Sequence, residues 1–402
     1  MKNQDSTLIE VKKRIAWPFT LPERKKIDTT KDFYPKRWKN YFDETIPLWV
    51  KKTYPPRGRN NTKEFTSNDF KFYLSGIIEL SEHFTTDRAF SLHEKRKGYF
   101  SHKKFRASYI LYLLQVHAAS FFSLFELHKS YFEEKIKTKK TITILDYGCG
   151  PGTASIAFLF FLKKHYAKQK ISLEFNWVDS DPKIMKDGKE LIDFLKSENH
   201  SISIKTWIPE KPMNTMTTND LIFLGNVLNE SRKLNQKITK KIASEVRKNP
   251  KLLILAVEPA AKDSAQNLAL FRDYLIQEQN LFILAPCLHQ EACPLSNGKD
   301  WCHFSLPTFI PSALLNGIKK SLEIQNRFQR FSYFIAGSPQ KNSSKKIDEW
   351  RVLSDPLSSS QNKKNKTHSL LCAPETTKRV TLSQKQKFFR GDIIICSNKS
   401  TR

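Results

Sequence analysis

Between residues 67 and 138 apolar positions recur at helical spacing, at Tyr109, Tyr112, Leu113 and Val116 and again at Phe121, Phe122, Leu124 and Phe125. This period predicts a helical domain. Beyond it the pattern alternates. Runs at 141–146, 173–178, 202–207, 221–224 and 252–257 read as strands, and the intervening runs at 153–166, 182–196 and 237–247 read as helices. Such alternation predicts an α/β fold, a doubly wound sheet with its strands mainly parallel and helices on its faces. A helix at 264–279 and a strand at 281–284 follow, then short strands at 331–335, 350–353, 369–372, 380–382 and 392–396, with a polar loop over 358–366. Residues 1–65 mix Pro, Lys and aromatics (Trp17-Pro18, Tyr34-Pro35, Tyr54-Pro55-Pro56) and predict an irregular arm. The expected division is therefore a basic arm at 1–65, a helical domain at 66–140, an α/β core at 141–285 and a β-rich extension at 286–402.

Charge sharpens that division. The net charge of +28 over 402 residues splits into +13 for residues 1–140, +3 for 141–314 and +12 for 315–402. A nearly neutral core between two basic flanks is the footprint of a polyanion binder; the bland alternative is a lysine-rich solvated surface. No apolar run approaches the roughly 20 residues of a membrane helix. The longest, at 156–162, ends at Lys163 and Lys164, so no membrane partner is expected. The first ten residues include Asp5 and Glu10 and lack the apolar stretch of a secretory signal. A cytoplasmic address follows, and the same acids argue against reading Lys12, Lys13 and Arg14 as part of a mitochondrial presequence.

Candidate chemistry begins at Ile144-Leu145-Asp146-Tyr147-Gly148-Cys149-Gly150-Pro151-Gly152, where three glycines lie between an apolar strand and a helix. Glycine admits positive φ and the close approach of a ligand to the backbone. The spacing is not the G-x-G-x-x-G of nicotinamide dinucleotide enzymes. It resembles motif I of class I S-adenosylmethionine (SAM) dependent methyltransferases. That resemblance implies a Rossmann-like SAM-binding core in which Asp146, Gly148, Gly150 and Gly152 form the cofactor loop. It also makes Asp179 the acid that holds the ribose hydroxyls, with Asp181 as second choice, and puts Asn226, at the end of the fourth strand, beside the adenine and methyl-donor pocket. No Asn-Pro-Pro-Tyr or Asp-Pro-Pro-Tyr run and no Pro-Cys nucleophile follows that strand, so no catalytic residue is assigned.

Of six cysteines, Cys149 lies in the glycine turn and Cys287, Cys293 and Cys302 follow C-x5-C-x8-C. Thiols this close in a reducing compartment point to metal ligation rather than disulfides. Zinc and iron-sulfur clusters both require four ligands. Cys372 is the first choice for the fourth, His289 or His303 would complete a Cys3His zinc site, and Cys396 competes.

The cysteine segment, together with residues 99–107, Leu228-Asn229-Glu230, Glu258-Pro259, Phe331-Ser332-Tyr333 and the 351–372 region, resembles methyltransferase-like assembly factors of the small ribosomal subunit, found in mitochondria and many bacteria. The resemblance implies a [4Fe-4S] cluster on Cys287, Cys293, Cys302 and Cys372, SAM binding, and attachment to the small subunit and its rRNA during ribosome assembly. The compartment is then the bacterial cytoplasm, or the mitochondrial matrix in a eukaryote, and the expected state is a monomer. Ala260-Ala261 and Ser305-Leu306-Pro307 depart from the family's Gly-Thr and Gln-Arg; these changes bear on methyl transfer, not on fold or cluster. The rival readings are a noncatalytic structural rRNA-binding protein and a zinc-stabilised methyltransferase with another substrate.

Overall fold

The computed structural model describes residues 7–8, 11–18, 33–56, 64–85, 99–196, 202–207, 218–228, 232–307, 310–324, 328–338, 349–355, 357–358, 367–373, 376–382 and 388–396. They fall into two compact units, Lys31–Phe223 with Thr308–Arg327, and Met1–Thr30 with Leu224–Pro307 and Phe328–Arg402.

The first unit opens with helical structure where an irregular arm is expected. Lys36–Asn40, a π-turn at Tyr41–Thr45 and helix α1 (Ile46–Thr53) run on from one another. Their aromatic residues are core: Trp38, Phe42 and Trp49 are buried, and the Trp38 ring lies 4.9 Å from Phe160. Burying these large rings outweighs the weak local helical signal of a Pro-bearing stretch. Helix α2 (Ser67–Thr85) follows, then a short turn at Tyr99–Ser101, α3 (Lys103–Ser108), a π-turn at Tyr109–Leu113, α4 (Leu114–Leu127) and α5 (Lys129–Thr138).

Taken through its π-turn, Lys103–Leu127 is a 25-residue helix long and apolar enough to cross a membrane, contrary to the expectation that nothing here reaches that length. Gln115, His117 and Ser120 interrupt the run in sequence, which hid it. Its apolarity has an internal cause, since 78% of the apolar window is buried within the protein.

The helices lead into strand β1 (Thr141–Tyr147), helix α6 (Thr153–His165), β2 (Ile171–Val178), helix α7 (Pro182–Lys196), β3 (Ile202–Trp207) and β4 (Leu221–Gly225). The order across the sheet is β3-β2-β1-β4. β1 and β2 pair in parallel from Thr141↔Ser172 to Tyr147↔Val178, and β2 pairs in parallel with β3. This is the Rossmann-like arrangement, with the chain reversing its direction of winding between β1 and β4, where such sheets bind ligands beyond their carboxyl ends. Ile142, Ile144, Leu173, Phe175 and Trp177 are wholly buried, as expected of parallel strands covered on both faces. Helix α6 is buried on every side from Ile156 to Leu162.

The second unit begins with the last two residues of β4. Helix α8 (Arg232–Lys248), β5 (Leu253–Pro259), helix α9 (Lys262–Gln279), β6 (Phe282–Ala285), β7 (Phe304–Pro307) and β8 (Phe328–Gly337) follow. The order here is β5-β8-β6, with β8 antiparallel to both neighbours and also pairing with β7. A separate seven-stranded sheet contains β9 (Glu349–Val352), β10 (Leu357–Ser358), β11 (Thr367–Ala373), β12 (Thr376–Leu382) and β13 (Ile393–Cys396).

Two strands from the N-terminal arm complete that sheet, Thr7–Leu8 against β12 and Val11–Ile15 against β13. Buried Asp392 ties them in: it accepts hydrogen bonds from Arg14 Nε and Trp17 N, both 2.7 Å. Gly391 holds φ at +93°, and a Cβ there would strike the Trp17 indole at 2.6 Å.

Candidate cofactor loop and cysteine cluster

The glycine turn is built for positive φ. Gly148, Gly150 and Gly152 hold φ of +70°, +53° and +76°, a region costly for residues with a Cβ. Gly148 and Cys149 donate to Val178 O at 2.7 and 3.2 Å, and Gly150 N donates to Asp179 Oδ2 at 2.8 Å. A side chain on Gly152 would overlap the Trp177 ring, and one on Gly188 of α7 would overlap the Pro151 carbonyl. The turn is therefore clamped between the end of β2 and the face of α7.

The acids named for this loop all carry structural bonds. Buried Asp146 accepts from Ser155 Oγ at 2.7 Å and Ser155 N at 3.2 Å, while Trp177 Nε1 donates to the same hydroxyl at 2.9 Å. Burial pushes the Asp146 carboxyl up to about 7, the Ser155 bonds oppose the rise, and the charge of Asp179 adds to it. Asp179 is also raised by burial; besides Gly150 it accepts from Asp181 N at 3.0 Å. Asp181 caps α7 through Lys183 N and Ile184 N.

Asn226 follows β4 with φ +56°, left-handed in a residue other than glycine, and donates its N–H to Val257 O at 2.8 Å. The next two amides, Val227 N and Leu228 N, both donate to Glu258 Oε1, at 2.8 and 2.9 Å. Glu258 is thus the anchor of the loop after β4, a role that sequence alone did not assign. Asn229 and Glu230 lie outside the described residues, as do most of the 358–366 loop and the side chain of Cys396.

In the second unit Cys287, Cys293, Cys302 and Cys372 are all free and half-buried, and they stand within electrostatic reach of one another. Burial raises the Cys372 thiol and Cys287, Cys302 and Cys293 raise it further; Cys302 is raised by burial, then by Cys287 and Cys293. Cys293 is pushed up to about 11 by burial and by Cys287. Four buried thiols that oppose each other's ionisation form a site lacking only a cation.

Arg272 on α9 faces this group. Burial works against its guanidinium charge, but Cys287 and Asp273 raise its pKa regardless. It donates to His289 O and Glu291 O, both at 2.8 Å, and pairs with Asp273. Asp273 in turn receives Cys293 N at 3.0 Å. Arg351 Nη2 holds Pro286 O at 2.6 Å and Ser332 Oγ holds Cys302 O at 2.7 Å. In the sequence Arg272 is only one charge on an amphipathic helix; what it grips becomes visible in three dimensions.

The histidines proposed as alternative ligands are neutral. Burial, then Arg272, lowers His289 to about 4, and burial, then Arg390, lowers His303 to about 4. His289 Nε2 lies 3.4 Å from Cys372 Sγ. Among the described residues no three His, Cys, Asp or Glu side chains converge on a point where a single ion would sit.

No curated protein matches the chain in sequence. Among solved structures, the precorrin-6y C5,15-methyltransferase of Geobacter metallireducens is 10% identical, with 56% of this chain and 89% of that one covered and a TM-score of 0.30. An O-methyltransferase family protein from Burkholderia thailandensis is 13% identical, covering 74% and 84%, with a TM-score of 0.33. The magnesium protoporphyrin IX methyltransferase of Synechocystis, solved with bound SAM, is 10% identical, covering 66% and 97%, with a TM-score of 0.32. A family profile described as mitochondrial small ribosomal subunit Rsm22 matches residues 106–400, which include the glycine turn, Glu258 and all four clustered cysteines. The chain belongs to the Rsm22 family, proteins of the mitochondrial small ribosomal subunit with a methyltransferase-like fold.

Proposed function

We propose that this protein binds SAM at the Gly148–Gly152 turn, carries a [4Fe-4S] cluster on Cys287, Cys293, Cys302 and Cys372, and acts on the small ribosomal subunit and its rRNA during assembly. The observation that carries the reading is the group of four mutually interacting thiols beside Arg272. Its donor set fits a cluster better than zinc. Ligands of one ion must converge on a point, and these do not, whereas the corners of a cubane keep its cysteines apart around a common centre. The Arg272 charge offsets the thiolates that ligation creates. When bound, the cluster supplies a rigid tie between the 287–302 segment and β11, together with a redox-capable centre.

The excess of Lys and Arg in the flanks would grip rRNA phosphates, with affinity that falls steeply with salt. Flank aromatics could stack on unpaired bases only where they are exposed; Trp17, Trp38 and Trp49 are buried and do not serve. The family description supports the mitochondrial option for the compartment. SAM supplies an electrophilic methyl when bound, and the chain's own part is to hold it in the turn and position it.

Anaerobic purification with metal and sulfide analysis tests the reading. About four iron and four sulfide per chain are expected, with a brown absorbance lost in Cys287→Ser; stoichiometric zinc would overturn it. Sedimentation with small subunits at low salt and release at high salt are expected, and failure to sediment would remove the ribosomal role.

A further inference from the structure

The helical layer ahead of the α/β core reaches the cofactor loop. Phe100, in the Tyr99–Ser101 turn, is the residue that faces Gly150: its ring atoms Cε2 and Cζ lie 4.0 Å from where a Cβ on Gly150 would stand. The ring is held edge-on by Tyr109, 5.1 Å away at an interplanar angle of 77°. Tyr109 is itself fixed by a 3.2 Å contact between its hydroxyl and His117 Nδ1. It opens the π-turn in the long helix, a distortion often found at functional sites.

Beneath the turn, Arg106 is 5% exposed and has every side of its fork engaged. Nη1 donates to Phe100 O at 2.6 Å and to Ser101 O at 3.3 Å. Nε lies 3.1 Å from Tyr54 Oη and 3.2 Å from Asp187 Oδ2, and Tyr54 donates its hydroxyl to the same carboxylate. Asp187 lies on the turn of α7 whose next residue, Gly188, presses on Pro151. One helical turn therefore supports both the glycine loop and the residue opposite it.

From this geometry we propose that Phe100 is a wall of the SAM pocket at Gly150 and that Arg106 is the positioning residue that holds it there. The inference rests on the SAM-binding reading above and adds the residues that shape the pocket. An apolar ring over a glycine whose backbone approaches a ligand sets the width of the slot. It restricts the slot for SAM and for its demethylated product S-adenosylhomocysteine alike. The guanidinium is suited to its part because only a planar fork reaches two carbonyls and a carboxylate together.

The test is titration of the full-length protein with SAM and S-adenosylhomocysteine by calorimetry, with circular dichroism and melting of the unliganded protein alongside. Phe100→Ala is expected to weaken both ligands about tenfold. Arg106→Lys keeps a charge opposite Asp187 but loses the fork. It is expected to bind SAM several-fold more weakly, through faster dissociation, with the unliganded circular dichroism unchanged. If Phe100→Ala does not fold, a folded Phe100→Leu with wild-type affinity overturns the wall, as does unchanged affinity in Phe100→Ala. Unchanged affinity in Arg106→Lys overturns the positioning role. Wild-type protein that binds neither ligand overturns the SAM reading itself and this inference with it, which distinguishes the two failures.

Discussion

Arg272→Met should loosen the cysteine-bearing segment before any metal enters the question. The side chain is 2% exposed, so water cannot replace what the substitution removes. Two charged hydrogen bonds to His289 O and Glu291 O are lost, each worth about 1.5–3 kcal/mol. Asp273 loses its partner while still holding Cys293 N, and breaking one side of a buried pair costs about 3–5 kcal/mol. These effects act on one network and do not add, so the expected loss is about 3–5 kcal/mol in all. At about 2–4 °C per kcal/mol for a unit of this size, the melting transition should fall by roughly 10 °C. The assay is thermal unfolding of chelator-treated protein, which reads the scaffold alone, with iodoacetamide labelling of Cys287, Cys293 and Cys302 as a second measure. A transition within about 3 °C of wild type, with unchanged labelling, would refute the view that Arg272 organises the segment.

Two further outcomes follow from the cofactor loop. Gly188→Ala would gain up to about 1 kcal/mol in helix propensity, but the new methyl meets the Pro151 backbone, which cannot swing aside; overpacking at about 1–3 kcal/mol wins. Denaturant unfolding should show a net loss, with weaker SAM binding; a stabilised variant would mean that α7 does not press on the loop. Asp146, raised by burial from its ordinary 3.8 to about 7, favours the native state when protonated. Its contribution is present below about pH 4 and is lost as pH rises through about 7, at up to about 1.4 kcal/mol per pH unit. Asp146→Asn, which can still accept from Ser155, should flatten stability between pH 5 and 8, and parallel curves for variant and wild type would count against the shift.

The parts of this molecule that were legible in sequence are those whose pattern is local. The helix Pro182–Lys196 and strand Ile202–Trp207 fall where their periods predict, because one buried face per element leaves its imprint on spacing. The glycine turn was legible because positive φ at three alternate positions selects for one residue type. The helices at 36–53 were not, because dense aromatics carry no clear period and Pro47 argues locally against a helix. The strand Val11–Ile15 was hidden for a different reason: its pairing with β13 joins positions more than 370 residues apart through Asp392. Arg272, Glu258 and Arg106 were illegible as site residues for the same cause. Each acts on backbone brought to it by folding, and a lone charge in sequence reads as surface.

The acids of the motif need care in any test of SAM binding, and Asp179 shows why. Its Oδ2 accepts Gly150 N and its Oδ1 accepts Asp181 N, so the carboxylate already joins the glycine loop to the start of α7. Asp179→Ala would remove both acceptors, and lost SAM binding would then report a collapsed loop as readily as a lost ribose contact. Asp179→Asn separates the two. One oxygen remains to accept from Gly150, while the amide nitrogen can no longer accept from a ribose hydroxyl. If Asp179 holds the ribose, Asn should weaken SAM at least several-fold, Ala more, and only Ala should lower the melting temperature markedly; a buried acceptor bond lost outright costs about 1–3 kcal/mol. Equal melting losses in Asn and Ala would show that the second oxygen, and with it the tie to Asp181, bears most of the loop. Asn with unchanged SAM affinity would remove Asp179 from the ribose site and leave it a residue of the scaffold.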